Sequence, residues 1–326
     1  MLARVKKDTA EAQLARVREA SEGGDSEASR RTLRDVLNGR EARAIARAAA
    51  VAAELDLVDL RPDLHAALER LLDAPFKADP GCVAKTALCE ALDRLGHAEL
   101  PVFRRAIRHV QSEPVFGGRV DTGADLRGRA AMAVVRLDRH GGLLDLARLL
   151  ADREPAARIH ATRALAYRAR EDGLALLHLR VHAGDDDPRV VGACFEAALR
   201  IAPASSVEFV AGFLDATAPG IAQEAALALG DSRRDEAFGV LRDWCGRTVD
   251  PDLRQAGLRA IALLRREEAF DFLIERVREG APSAARETLQ ALAVLRGDAA
   301  RAERVRAAAA ERDEPEVKRA LREAFG

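Results

Sequence analysis

Aromatic residues, lysine and long apolar runs are all scarce in this 326-residue sequence, and each shortage excludes something. Aromatics make up 4%, with one tryptophan and one tyrosine. Sheets draw on aromatic and β-branched side chains, so an alanine-rich chain with so few of them favours closely packed helices. No stretch has the apolar length that a bilayer span requires. The N-terminal MLARVKKDTAEAQLARVREA also lacks the uninterrupted apolar core of a signal peptide. The expectation is a cytoplasmic protein without membrane association. Four cysteines (Cys82, Cys89, Cys194, Cys245) are scattered with no CxxC pair, which reads as buried reduced thiols. The spacing of Cys82 and Cys89 puts them on one helix face.

An excess of charge of one sign is also missing. The chain holds 52 basic and 53 acidic residues, a net charge of −1. Proteins whose main partner is nucleic acid carry a basic excess, because neutralising phosphates drives that association. Lysine occurs only at Lys6, Lys7, Lys77, Lys85 and Lys318, so nearly all positive charge is arginine. Arginine suits two-point contacts to carboxylate or phosphate, and the bias also fits a GC-rich coding sequence.

What is present is a period. Pro155, Pro188, Pro219, Pro251, Pro282 and Pro315 follow one another at intervals of 33, 31, 32, 31 and 33 residues. Several have aspartate just ahead: Asp152, Asp187, Asp250 and Asp313, with Asp79–Pro80 as an earlier instance. Proline fits the first turn of a helix, where its missing N–H costs nothing, and a preceding aspartate caps the exposed amides. Each cluster therefore marks a helix start. Amphipathic segments lie on both sides; Phe238, Leu241 and Cys245 recur one period later as Phe270, Leu273 and Val277. The period is two helices of about 12 residues with short links.

Asp187-Pro188-Arg189-Val190, Asp250-Pro251-Asp252-Leu253-Arg254 and Glu314-Pro315-Glu316-Val317-Lys318 resemble the repeat starts of the HEAT-repeat family, including its bacterial HEAT-like relatives of the phycobilin-lyase type. The resemblance is good over 140–326 and weaker over 25–140. It implies an all-α solenoid of about nine helical hairpins, with the second helices lining a concave face. It also implies a stabilising ladder of Asp152, Asp187, Asp250 and Asp313 with Arg158, Arg254 and Lys318. The hairpins are expected near 25–58, 61–96, 98–140, 141–171, 173–202, 204–230, 235–265, 267–296 and 299–325, as one continuous domain over 25–326. Residues 1–24 are expected to be a capping helix, with Leu2, Val5, Leu14 and Val17 apolar, followed by a short linker at Ser21, Gly23 and Gly24.

The third hairpin breaks the rule of short links, since Ser112 to Thr122 separate its helices. Long links in repeats are more often functional than short ones. Thr122 and Asp125 have capping-box spacing for the next helix. Phe116, Val115 and Val120 could fold back over the neighbouring repeat, or Arg119 and Asp121 could face a partner. Asp121-Thr122-Gly123 matches the triplet of aspartic proteases, which need two such carboxylates on a β framework, and Gly117-Gly118 lacks a following phosphate-loop lysine. His178 and His182 share a helix face without the glutamate of a zinc-protease motif and read as partly exposed surface histidines. Trp244 reads as packing at a hairpin edge. No catalytic motif, cofactor site or metal site is read.

The expected function is a non-catalytic protein-binding scaffold, with Phe116, Arg119, Asp121, Arg127, Arg158, Arg189, Arg254 and Arg286 as candidate contacts. A nucleic-acid binder resembling HEAT-like DNA glycosylases is the alternative, its groove built from Arg158, Arg163, Arg189, Arg254, Arg259 and Arg286. A lyase-type cofactor-attachment role rests on the shared repeat alone.

Overall fold

The computed structural model describes residues 10–138 and 140–326, so Leu2 and Val5 of the expected capping helix lie outside the described residues. Among those described, nineteen α-helices form, and all six prolines of the ladder stand at the first position of one. The pairs are α2 (Glu27–Leu37) with α3 (Ala42–Glu54), α4 (Arg61–Asp73) with α5 (Val83–Arg94), and α6 (Leu100–Ala106) with α7 (Ala124–Leu137). Next come α8 (Leu143–Leu150) with α9 (Pro155–Arg168), α10 (Leu174–Ala183) with α11 (Pro188–Ile201), and α12 (Pro203–Ala211) with α13 (Pro219–Ser232). The last are α14 (Asp235–Arg247) with α15 (Pro251–Leu263), α16 (Glu267–Glu279) with α17 (Pro282–Leu292), and α18 (Ala299–Ala310) with α19 (Pro315–Phe325). Eight of the nine fall inside an expected hairpin, the sixth (expected at 204–230) begins at Pro203 and runs on to Ser232, and the class is an all-α solenoid. Asp187 accepts from the Arg189 amide, and Asp250 from those of Asp252 and Leu253, which are the caps the sequence calls for.

The described residues divide into two compact units, one ending at Arg168 and the other spanning Ala169–Gly326. In the first, α1 (Ala10–Glu22) packs on α2 and α3 and buries Val17 and Ala20. Second helices then pack in series, α3 on α5, α5 on α7 and α7 on α9. In the second unit the series is α11, α13, α15, α17 and α19. Close approach comes from small residues on the shared faces. Gly230 of α13 lies against the backbone of Ala260 in α15, where a Cβ would stand 2.7 Å from the Ala260 Cα. Trp244 is buried, with its ring over Gly257.

At Arg254 and Lys318 the ties differ from the expected ladder. Arg158 donates to the carbonyls of Asp152 and Arg153, within its own hairpin. Arg254 does cross to the next repeat, but its partner is Glu287, at 2.9 and 3.0 Å. Lys318 and Asp313 pair locally at 3.0 Å. Other cross-repeat ties are arginine–carboxylate pairs, such as Arg34 with Asp63 and Arg304 with Asp271, and arginine forks on helix ends, whose last carbonyls lack intrahelical partners. Arg70 reaches the carbonyls of Leu37 and Gly39 at the end of α2, and Arg312 those of Val277, Arg278 and Gly280 at the end of α16. A planar, multi-donor head can bridge two or three carbonyls at once, which an ammonium does less well. That gives the arginine bias a structural use.

The link from Ser112 to Asp121 is the main departure. It is not an irregular loop but an antiparallel ribbon, β1 (Ser112–Val115) on β2 (Gly118–Asp121), with Ser112 opposite Asp121 and Val115 opposite Gly118. The turn is Phe116–Gly117, and Gly117 has φ +85°, a conformation open to glycine. Phe116, Val115 and Val120 are exposed and do not cover a neighbouring core. The Thr122–Asp125 capping box does not form either. Gly123 is the N-cap of α7, while the Thr122 hydroxyl donates to Glu113 and Asp125 pairs with His160.

Two outcomes test this packing. Gly230→Ala should lower stability by about 1–3 kcal/mol in denaturant titration, because the clash with a neighbouring backbone outweighs alanine's helix preference of about 1 kcal/mol. All four cysteines are buried, and burial pushes each thiol up to about 12. Native protein at pH 8 should therefore leave a thiol-exchange reagent such as DTNB essentially unreacted, whereas unfolded chain should consume four equivalents.

Candidate functional site

The β-ribbon stands on a base of buried charge. Asp79 and Lys85, both fully buried, sit where α5 begins. The Asp79 carboxylate accepts from the amides of Ala84 at 2.9 Å and Lys85 at 3.0 Å, so it caps α5 from outside the helix. The Lys85 ammonium donates to the Gln111 side chain at 2.7 Å and faces Asp79 at 3.4 Å. Gln111 passes the connection on, donating to the Asp79 carbonyl at 2.7 Å and to Glu113 of β1 at 2.8 Å. Glu113 also accepts from the Thr122 hydroxyl and the Gly81 amide. These donors, Thr122 first, hold its carboxyl below the ordinary glutamate range.

Arg127 of α7 secures the other strand. It is 2% exposed, and its guanidinium meets Asp152 through Nε and Nη2, both at 2.8 Å. Its Nη1 donates to the His109 carbonyl at 2.9 Å and pairs with Asp121 of β2 at 2.8 Å. Burial alone would raise the Asp121 carboxyl. The amides of Gly123 and Gln111 together with Arg127 outweigh that and hold it below the ordinary aspartate range. Gly123 is required here, since a Cβ would stand 2.9 Å from the His109 carbonyl oxygen. Arg119 braces the ribbon across its strands, donating to the Ser112 hydroxyl at 2.7 Å and carbonyl at 2.6 Å.

Above this base the tip is bare. Phe116 is fully exposed, flanked by exposed Val115 and Val120 and followed back along the chain by exposed Val110. Of the candidate contacts, the structure thus brings Phe116, Arg119, Asp121 and Arg127 together, with Arg158 beneath them on the Asp152 carbonyl. Arg127 and Arg158 are buried, and their donors face inward. Arg189, Arg254 and Arg286 belong to the second unit. There Arg189 is exposed and held by Asp187 at 2.6 Å, Arg254 is tied to Glu287, and Arg286 is half-buried. His178 stacks on Phe209 with ring centroids 3.7 Å apart, and His182 meets the same ring edge-on.

Sequence reasoning missed one cluster. His65 of α4 and His97 and Glu99, just before α6, bring candidate metal-ligand atoms within 4.8 Å of one another. Burial first, then His65 beside it, lowers the His97 pKa. The two histidines lie one repeat period apart, so aligning them in register was the signal that could have found them. No helix among the described residues is long and apolar enough to cross a membrane.

Residues 207–293 match the family described as HEAT repeats. No curated protein matches the chain. Among solved structures it is similar to two engineered proteins from the Northeast Structural Genomics Consortium. The first is 18% identical, with 98% of this chain and 96% of that one covered and a TM-score of 0.37. The second is 19% identical, with 95% and 94% covered and a TM-score of 0.20. The matched segment is of the HEAT-repeat type, and the proline register and the nine helix pairs among the described residues repeat a hairpin of the same kind.

Proposed function

We propose that this chain is a non-catalytic scaffold for a partner protein, and that the Phe116-tipped ribbon is a principal point of attachment. The observation that carries this is the contrast between base and tip: buried, hydrogen-bonded charge below and a fully exposed phenylalanine above. A phenylalanine gains about 1.5–3 kcal/mol on burial, and Phe116 collects none of it within its own chain. An aromatic side chain on a braced two-stranded turn loses little freedom on docking, which is the economy of an interface anchor. The concave second-helix surface that the family resemblance implies would supply further contact area. A nucleic-acid groove is less well supported, because Arg158, Arg189 and Arg254 already serve internal partners.

Benzoylphenylalanine at position 116 should cross-link to a discrete partner in extracts of the source cell. The purified partner should bind Phe116→Asp at least tenfold more weakly, with the melting temperature unchanged. Arg127→Met should cost about 3–5 kcal/mol of stability by leaving Asp121 and Asp152 without their cation, and should weaken partner binding although Phe116 is intact. A partner that binds both variants as tightly as the unaltered protein, or steady turnover of a small substrate by the purified chain, would overturn the proposal.

A further inference from the structure

We propose that His65, His97 and Glu99 form a zinc site between consecutive repeats. His65 projects from α4, while His97 and Glu99 lie in the link that joins α5 to α6. His65 Nδ1 and His97 Nε2 are 2.7 Å apart, close enough that one ring donates a hydrogen bond to the other. The Glu99 carboxylate stands 3.9 Å from His65 Nε2, at the rim of the same cleft. Tetrahedral zinc with bonds of about 2.0–2.1 Å sets its ligand atoms roughly 3.3 Å apart. The imidazole pair therefore needs to open by only about 0.6 Å, the metal replacing the hydrogen bond between the rings. Glu99 is the ligand that must move furthest, and its side chain, 69% exposed, is free of the packing that holds the histidines.

The surroundings favour that geometry. If His65 binds through Nδ1, its other nitrogen faces the Glu69 carboxylate at 3.5 Å, and Glu99, which stands 3.9 Å from that same far nitrogen, must swing from there toward the metal. A carboxylate on the far nitrogen fixes the tautomer and raises the basicity of a ligating imidazole. His97 is 8% exposed and meets the Phe103 ring of α6 edge-on. Its link is pinned by Arg61, which donates to the Gly96 carbonyl at 3.1 Å. Two ligands are thus preplaced by the fold. The cleft in front of them, about 490 Å³ and lined also by Asp59 and Pro62, leaves room for water as a fourth ligand. Two imidazoles with one carboxylate suit zinc over calcium or magnesium, which prefer oxygen shells. The ion would staple α4 to the start of the next hairpin.

Calorimetric titration of the full chain with Zn²⁺ tests this. The expected result is one ion per chain, with His65→Gln and Glu99→Gln each weakening binding at least tenfold and His182→Ala leaving it unchanged. The Co²⁺-loaded protein should show the visible absorption of a four-coordinate ion, lost in His65→Gln. Glu99→Gln alters an exposed side chain, so it remains informative even if a histidine variant folds poorly. Absence of Zn²⁺ binding at micromolar concentration, equal affinity in Glu99→Gln and His65→Gln, or loss of binding in His182→Ala would each overturn the assignment.

Discussion

No hairpin in this protein can bury its own apolar stripe, and that constraint organises the rest. Two helices of 11 to 14 residues, such as α2 and α9, each present an apolar face to a neighbour that another hairpin must supply. The second helices meet that need at close range because alanine and glycine dominate their contacts, as at Gly230 against Ala260. Close backbones leave little space for branched side chains, so alanine and glycine take those contacts while leucine, valine and a few aromatics fill the rest of the core.

Stacking also buries helix ends, and their unpaired amides and carbonyls must be satisfied. Proline at the first position removes one donor, and Asp187 and Asp250 satisfy others. At the opposite ends the arginine forks of Arg70 and Arg312 collect carbonyls from the preceding repeat. The same logic, carried further, builds the base of the β-ribbon. Lys85, Asp79 and Arg127 are charged groups in a dry setting, tolerable only because nearly every polar atom around them has a partner. A network of that kind holds one geometry and resists intermediate ones. It therefore carries a short ribbon far more rigidly than two strands could hold themselves.

Much of the fold was legible in the chain and much of the site was not. The proline ladder and the recurrence of Phe238 at Phe270 gave helix starts and pairing, because both depend on spacing along one chain. Asp121 and Arg127 could be singled out near the irregular link, but their pairing could not. The aspartate that shares Arg127, Asp152, lies beyond α8, and the lysine behind the ribbon, Lys85, precedes the link by a whole helix. The link itself read as a loop, since four-residue strands carrying a proline and a glycine give only a weak alternation. His65 and His97 were passed over for a different reason: a search for ligands at short helical spacing ignores pairs one repeat apart.

By itself the sequence determined the helical class, the hairpin period and the six helix starts that proline marks. Those properties follow from local preferences, from proline's missing donor, aspartate's reach to nearby amides and the period of the apolar positions. Tertiary structure alone decided that Phe116 points outward, that Arg127 and Arg158 are buried and spent on internal partners, and that two histidines meet across a repeat. Exposure and contact between distant residues depend on how hairpins stack in three dimensions, and no local preference encodes that.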